Sequence, residues 1–574
     1  MKNIRDIVLN PFTLVIVVYY FIVSFINPFT DTVINDEWAH TRQVEAFLHH
    51  SWRIQSNTDA SLILLAFAGF FFTLLLGYSL LKLKILIFIS SFVLLFFLNK
   101  TLRIFTVNYK IIVLTLLTIA VNPLFLHLGS TFMTDIPFLS LLSASVYYYI
   151  RSIKENKRVF SIIAAVIAGL SVLIRQGGVF IFASWVVFKI IEFFNTGKNL
   201  KIFLSQVWKE SLIFSLFFTM YVLYPRFGGN AGQHIISKLL DPELINQRLT
   251  FLINSLIYIS YFIVPIIIFY KTPVKKYFLP IMLLLSIIPA YYIYKNNVFP
   301  TGNILFLEGL YSKSSQFFGS SLINNSLFKL VLSLIIGWVF IKAVMILSSE
   351  IKQNIKEKSI AFLLIASAIY YLSLALPNDQ YDRYTLPLFY ILLLIFSINY
   401  SRETKSTNHF SLIAKCLPVL LIFFVNYFLV YDFYSNNNLR WAAAKSIAGA
   451  TGLKSKIFVN GAYSRYISAH KIKDYSGELY VSTQGQYDCA AETIYSKYSE
   501  NNKTENTIIK YSRLIENKIG KPDVVYLKIP TSMGIPRAKD YQREVFFEKR
   551  YPSVFYNWYG YDVKVQGWCD KRRL

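Results

Sequence analysis

The sequence predicts an α-helical polytopic membrane protein with a smaller soluble domain at its carboxy-terminal end, and three observations carry that prediction. The 574 residues are 55% hydrophobic and 17% aromatic, richer in apolar residues than an ordinary soluble chain. Apolar runs of about 15 to 20 residues recur as far as residue 431, near the length that crosses a hydrocarbon core. The formal charge of +26 is concentrated in the short loops between those runs, which is how cytoplasmic loops are marked. The charge therefore reports topology, and a nucleic-acid partner is not expected.

Lys2 and Arg5 precede an apolar run over residues 11 to 27, and no small-residue cleavage site clearly follows it. This run reads as a retained first span with its N-terminus inside. Further spans are expected near 85 to 99, 109 to 128, 136 to 150, 159 to 174, 179 to 195, 210 to 224, 250 to 270, 277 to 294, 325 to 346, 359 to 376, 384 to 400 and 411 to 431, about 13 in all. Lys100, Arg103 and Lys110 then share one side with Arg151, Lys154, Lys157 and Arg158, with Lys198 and Lys201, and with Lys271, Lys275 and Lys276. Lys352, Lys356, Lys358, Arg402 and Lys405 join them. Agreement over so many loops is hard to obtain by accident. It requires the apolar stretch 61 to 80 to stay on the outer face as a juxtamembrane or re-entrant segment. A crossing there would move every later loop to the other side.

The same parity puts Asp36, Glu37, Asp135, Arg175, the loops 225 to 249 and 295 to 324, and Pro377 to Arg383 on the outer face, with everything after Tyr431. The chain thus divides into a transmembrane domain over 1–431, whose first outer loop runs from 28 to 84, and an extracytoplasmic domain over 432–574. In the second, KIFVNG at 456–461 and PDVVYLKI at 522–529 look like short buried strands, while 491–518 is polar and helix-like. A small mixed α/β domain is expected. Cys416 falls in the last span as a packing residue. Cys489 and Cys569 share the outer domain, an oxidising place under this topology, which leaves a disulfide between them open. No CxxC, HExxH, Walker loop or GxGxxG stands at a useful position, and no internal repeat is visible.

The functional signal is the acidic pair Asp36 and Glu37 in NDEWAHTRQ, directly after the first span. Carboxylates beside a bilayer are costly and tend to sit in cavities with a task. The competing account is that they cap a helix starting at Trp38, since acids favour helix N-termini. Asp135, in TFMTDIPFL, has the same two accounts, because a proline follows it at helix-start spacing. Arg175 in LIRQGG interrupts an apolar hairpin and is the best phosphate ligand, a guanidinium being suited to bidentate contact with phosphate oxygens. An interfacial arginine snorkelling to headgroups would look alike. Lys82 and Lys84 break the positive-inside pattern, which suggests lipid-phosphate contact, although a crossing by residues 61 to 80 would give the same exception. Arg383 in NDQYDRYTLP is a further candidate, although Asp379 and Asp382 beside it offer a plain ion pair. His40 lies one helical turn from the acidic pair, within reach of a hydrogen bond.

Together these residues resemble the GT-C superfamily of polyprenyl-phosphate-sugar-dependent glycosyltransferases, which includes protein O-mannosyltransferases and the aminoarabinose transferases of lipid A. The resemblance rests on the acidic pair in the first outer loop, TDIP at 134–137 opening a later span, the basic residue in LIRQGG and the carboxy-terminal outer domain. Locally the chain is similar to the α-1,2-glucosyltransferases of the endoplasmic reticulum, in which Asp-Glu is followed by His and Gln as Asp36, Glu37, His40 and Gln43 are here. Their Arg-Gln is similar to Arg175-Gln176. That family continues with Thr-Asn where this chain has Gly177-Gly178, and it lacks a large outer tail, so the substrate does not carry over.

The resemblance implies inversion at the anomeric carbon, with Asp36 taking the acceptor proton and Glu37 and Asp135 orienting hydroxyls, Glu37 being the alternative base. His40, Gln43, Lys82, Lys84, Arg175, Gln176 and Arg383 would bind substrate. Such chemistry needs a base near the acceptor, cations for the departing phosphate and a groove for the lipid. No obligatory cofactor is expected; a divalent metal with His40 as a ligand stays open, but one histidine with scattered carboxylates is poor spacing that does not support it. The expected partners are a polyprenyl-phosphate sugar donor, a glycan or lipid-linked acceptor and membrane lipids. The richness in Lys, Asn, Ile and Tyr favours a bacterial plasma membrane with the C-terminus outside, or the endoplasmic reticulum membrane in a eukaryote. The rival class is a lipid-linked glycan transporter, flippase or O-antigen polymerase, which would show repeat-like halves and polar residues at mid-span depth. A scaffold presenting the outer domain would give Asp36, Glu37 and Asp135 no reason to share a face.

Overall fold

Each apolar run read from the sequence carries a helix in a computed structural model of the chain, which describes residues 10–34, 36–55, 61–196, 200–226, 242–270, 279–296, 298–299, 326–377, 381–403 and 409–451 together with four strands. In chain order the first helices are α1 (Pro11–Ile26), α2 (Glu37–Leu48), α3 (Ile63–Leu76) and α4 (Leu80–Ile104). Next come α5 (Tyr109–Ala120), α6 (Pro123–Leu128), α7 (Asp135–Glu155), α8 (Arg158–Val172), α9 (Gly178–Thr196) and α10 (Leu200–Leu223). The remainder are α11 (Pro242–Phe262), α12 (Val264–Ile267), α13 (Leu279–Asn296), α14 (Ser326–Lys356), α15 (Lys358–Ser373), α16 (Leu386–Glu403) and α17 (His409–Thr451).

Two expected spans are broken, each at a proline. The run 109 to 128 divides into α5 and α6 because Pro123 has no N–H to continue the helical ladder. Asn122 caps the new start, its side-chain oxygen accepting from Leu124 N at 3.0 Å and Phe125 N at 3.2 Å. The run 250 to 270 divides at Ile263, with Pro265 in the first turn of α12. Among the described residues six helices are long and apolar enough to cross a membrane, and five further apolar helices run 10–17 residues. The expected count of about 13 full spans is therefore not reached on length and composition alone, because several of those stretches fold as shorter or broken helices.

The long helices hold two polar layers apart. At one end Lys154 meets Glu357 at 2.6 Å, Arg402 pairs with the same carboxylate, and Lys358 meets Glu192 at 2.6 Å. Arg103 donates to Asn10 at 2.9 Å at this end too. These residues belong to the basic loops expected to share a side; Lys198, Lys271, Lys275, Lys276 and Lys405 lie outside the described residues. At the other end stand Asp36, Asp135, Arg175 and Arg383. Helix α7 connects the layers, starting at Asp135 and reaching Lys154 in its last turn, a rise of about 30 Å.

The apolar stretch 61 to 80 contains α3, a helix of 14 residues, about 21 Å long against a hydrocarbon core of about 30 Å. Its flanks return to one place. Lys84, in the second turn of α4, lies 3.7 Å from Glu37, so the chain leaves and re-enters the same end of the bundle around α3. The helix start is held by Leu62 N donating to Ile174 O at 3.1 Å and Leu64 N to Leu173 O at 3.0 Å.

One expectation about the tail is corrected, and its start is formed by a helix. Helix α17 continues through residue 432 to Thr451, with Phe433, Tyr434, Trp441, Ala443, Ala444 and Ile447 buried along it, because alanine and apolar residues keep the helical face going beyond the lipid-length stretch. The segment 491–518 was expected to be helical, yet 489–497 forms strand β2 (Cys489–Lys497); its Thr493, Ile494 and Tyr495 are good strand formers. With β1 (Ile457–Phe458), β3 (Arg543–Arg550) and β4 (Tyr561–Asp570) it makes a sheet of order β1-β2-β4-β3. β1 runs parallel to β2, while β4 is antiparallel to both β2 and β3. Residues 498–542, including the expected strand at 522–529, lie outside the described residues.

Candidate active site

The site is assembled from four stretches that the sequence keeps far apart. Asp36 occupies the N-cap position of α2, but its side chain makes no cap hydrogen bond. It faces Arg383 instead, whose Nη2 lies 3.1 Å from Asp36 Oδ2. Arg383 sits in a 3-10 turn, Asp382–Thr385, just ahead of α16. Its Nε lies 4.0 Å from Asp135 Oδ1, and that carboxylate is in turn paired with Arg175. Asp36, Arg383, Asp135 and Arg175 thus form one alternating chain of charge.

Both acids have a local alternative that the geometry does not use. Asp135 lies in the first turn of α7, where the helix dipole favours a negative charge, but its carboxylate turns to Arg175 rather than to a backbone N–H. Arg383 likewise does not pair with Asp382 through its guanidinium; Asp382 Oδ1 accepts the Arg383 backbone N–H at 2.8 Å. Asp379 lies outside the described residues.

Exposure separates the members. The Asp36 side chain is 50% exposed, while those of Arg175, Arg383 and Asp135 are 16%, 10% and 2% exposed. Only the acid of the first loop is therefore broadly open to a second molecule. Asp135 Oδ2 and Arg383 Nε are buried without a hydrogen-bond partner among the described residues. Such groups are uncommon in native interiors, and here they leave one acceptor and one donor of the site unengaged.

Tyrosines complete the cationic side. Arg175 stacks 4.9 Å from the Tyr384 ring centroid, and Arg383 lies 4.6 Å from that of Tyr381 and 5.8 Å from that of Tyr384. The Tyr384 ring is thus a shared platform for both guanidinium groups. No local pattern distinguishes these tyrosines among 40 of their kind; Tyr384 directly follows Arg383 and Tyr381 lies two residues before it.

Arg175 owes its position to the turn between α8 and α9. A Cβ on Gly178 would lie 2.3 Å from Ser171 Oγ and 2.6 Å from Val172 N, so the tight return of the chain there requires glycine. Tyr370 Oη donates to Gly177 O at 2.9 Å and fastens the turn to α15. Gln176 is half-buried in the same turn.

The remaining residues singled out from the sequence are placed differently. Glu37 is fully buried; Oε2 accepts from Ile34 N at 3.0 Å and Oε1 from Phe132 N at 2.7 Å. Burial pushes its carboxyl above the usual range, and the Lys84 ammonium and the two N–H groups pull against that. Lys84 is equally buried, its Nζ donating to Thr32 O at 2.6 Å and Thr30 O at 3.1 Å. Breaking one half of such a buried pair costs about 3–5 kcal/mol. His40 is buried beside them, with Nδ1 3.1 Å from Phe132 O; burial pushes its imidazole below the ordinary value. Gln43 is buried and spans its own loop, donating to Arg53 O at 2.9 Å and accepting from Gln55 N at 2.8 Å. Lys82 donates to Leu76 O on the exposed rim. The structure thus gathers Asp36, Asp135, Arg175 and Arg383, and leaves Gln43 and Lys82 outside that group. The described residues contain no group of three or more His, Cys, Asp or Glu side chains that could hold a metal ion.

No family model matches the chain, and no curated protein matches it. Among solved structures it is similar to the Archaeoglobus fulgidus oligosaccharyltransferase in complex with Zn and sulfate, at 13% identity, 75% coverage of this chain and a TM-score of 0.44. That match spans about half the length of the oligosaccharyltransferase, 55%. It is similar also to ArnT from Cupriavidus metallidurans bound to undecaprenyl phosphate, at 10% identity, covering 79% of this chain and 74% of that one with a TM-score of 0.41. The apo state of ArnT matches at 12% identity over 96% and 97% of the two chains, with a TM-score of 0.34.

Proposed function

We propose that the protein is an inverting membrane glycosyltransferase that moves a sugar from a polyprenyl phosphate to a lipid-linked or cell-surface glycan, on the noncytoplasmic face of the membrane. The observation that carries the reading is the open Asp36 carboxylate 3.1 Å from the buried Arg383 guanidinium, with Arg175 beyond it across Asp135. A base on the acceptor and cations on the leaving group are the two things this transfer requires.

In the reaction Asp36 takes the proton of the acceptor hydroxyl as that oxygen forms its bond to the anomeric carbon. The bond from that carbon to the phosphate oxygen breaks, and its electron pair leaves on the lipid phosphate. Arg383 and Arg175, held against the rings of Tyr381 and Tyr384, face the charge that develops there, and guanidinium groups fixed in advance stabilise it without reorganising. Asp135 holds the two guanidinium groups in register, and its unpartnered Oδ2 accepts from a sugar hydroxyl. The basic layer at the opposite end of the bundle supports placing the site on the noncytoplasmic face under the positive-inside rule.

Membranes containing the protein, incubated with radiolabelled polyprenyl-phosphate sugars, should transfer label into lipid-extractable or polymeric glycan. Asp36→Asn should abolish transfer at normal expression and insertion. Near wild-type transfer by that variant removes Asp36 as the base, and no wild-type transfer from glucose, mannose, galactose or aminosugar donors shifts the weight to transport of a lipid-linked glycan.

A further inference from the structure

Glu37 stands beside the proposed base, yet both of its oxygens are taken by backbone, and the two donors belong to different loops. Ile34 N lies in the first outer loop, two residues before Asp36, and Phe132 N lies three residues before Asp135. His40 engages the carbonyl of the same residue, Nδ1 to Phe132 O at 3.1 Å. Both polar backbone groups of Phe132 are thus held by α2, the helix that opens on the acidic pair.

Lys84 closes the arrangement from the opposite side. Its ammonium contacts Glu37 Oε2 at 3.7 Å and the carbonyls of Thr30 and Thr32. The hydroxyl of Thr30 in turn donates to Asn438 Oδ1 at 2.8 Å, which fastens the same loop to α17. An ammonium and a carboxylate with no exposed surface have nothing to offer a ligand, but they have a consequence for geometry. The loop carrying Asp36 and the loop carrying Asp135 are tied to one buried ion pair.

We propose that Glu37 and Lys84 are positioning residues: a buried clamp that fixes Asp36 relative to Asp135 and, through it, to Arg383 and Arg175. The role rests on the glycosyltransferase reading for its effect on rate, while the clamp itself stands on the contacts alone. Small displacements between reacting groups reduce rate about 100-fold, so the clamp acts on the chemical step and leaves donor affinity alone.

The test pairs kinetics with hydrogen exchange on the full chain in detergent, using Glu37→Gln and the charge-neutral double variant Glu37→Gln with Lys84→Met, which keeps the volume of the pair. The double variant should lower kcat about 100-fold with donor KM within twofold of wild type. Amide protection should be lost together in the peptides containing Ile34 and Phe132. A large rise in donor KM at unchanged kcat would instead make Lys84 a ligand of the donor, and wild-type kcat would overturn the positioning role. Loss of protection in only one of the two peptides, or in neither, overturns the clamp, and this arm reads out whether or not the protein transfers a sugar. Failure of the function shows separately, as absence of transfer by the wild type with the coupled protection intact.

Discussion

Asp36 and Arg383 stand 347 residues apart in the chain and meet through a hydrogen bond of 3.1 Å between carboxylate and guanidinium. One comes from the loop after the first helix and the other from the turn before α16, so their meeting is a product of the bundle and not of local sequence. The pairing also gives a half-open carboxylate a buried cationic partner, which offsets the cost of holding it within a mostly apolar bundle.

Arg383 is therefore expected to matter for rate more than for folding. Arg383→Met should reduce transfer about 100-fold or more, the loss typical of removing one donor from a developing anion. Arg383→Lys should recover only part of it, because an ammonium is a point charge where the guanidinium presents a planar fork to both Asp36 and the phosphate. Steady-state kinetics on the purified variants check this, and equal rates for Met and wild type would remove Arg383 from the site.

Legibility in the sequence followed the physical range of each signal. The helices were readable because apolar runs and loop lysines are local patterns, and the stretch 61 to 80 stood out as the exception because a crossing there would move every later basic loop to the outer face. Asp36, Asp135 and Arg175 were readable because a charge against an apolar background stands out. Arg383 was marked, but its partner was not: Asp382 is adjacent in sequence, and only the packing of α16 against the first loop directs the guanidinium to Asp36. Glu37 and Lys84 carried the same chemical signature as ligands, and nothing local distinguishes a buried clamp from a binding group. Tyr384 was hidden among 40 tyrosines. The strand at 489–497 was missed because Glu492, Ser496 and Lys497 dilute the strand signal of Thr493, Ile494 and Tyr495.

His40 gives a pH prediction whose sign is set by burial. Desolvation pushes its imidazole below the ordinary value, opposed by Asp36, the Phe132 carbonyl and Asp135, and reinforced by Arg383. The unfolded chain, with a histidine near pH 6.5, then binds the proton first as pH falls. The stability tied to neutral His40 is fully present above about pH 6.5 and is lost progressively below it, down to the lower folded value. Thermal unfolding in detergent should show Tm falling across that window, and His40→Asn should flatten this part of the slope. An unchanged slope in the variant would mean that His40 is not the group being read.

The sheet makes a prediction about covalent chemistry and about topology at once. In the antiparallel pairing of β2 with β4, Cys489 and Cys569 are direct register partners. Directly opposed residues in such a ladder have Cα atoms about 4.5 to 5.5 Å apart, inside the range of about 4.4 to 6.8 Å that a disulfide bridges. Register alone thus turns two cysteines that are 80 positions apart into neighbours, and a bond closing so long a loop adds about 2–4 kcal/mol to the stability of the sheet. The bond persists only in an oxidising compartment, so it also reports the side on which the tail lies. Alkylation of the denatured protein, isolated under thiol-blocking conditions, should modify one of the three cysteines before reduction and all three after. Modification of all three without reductant would remove the bond and, with it, one of the supports for a tail on the noncytoplasmic face.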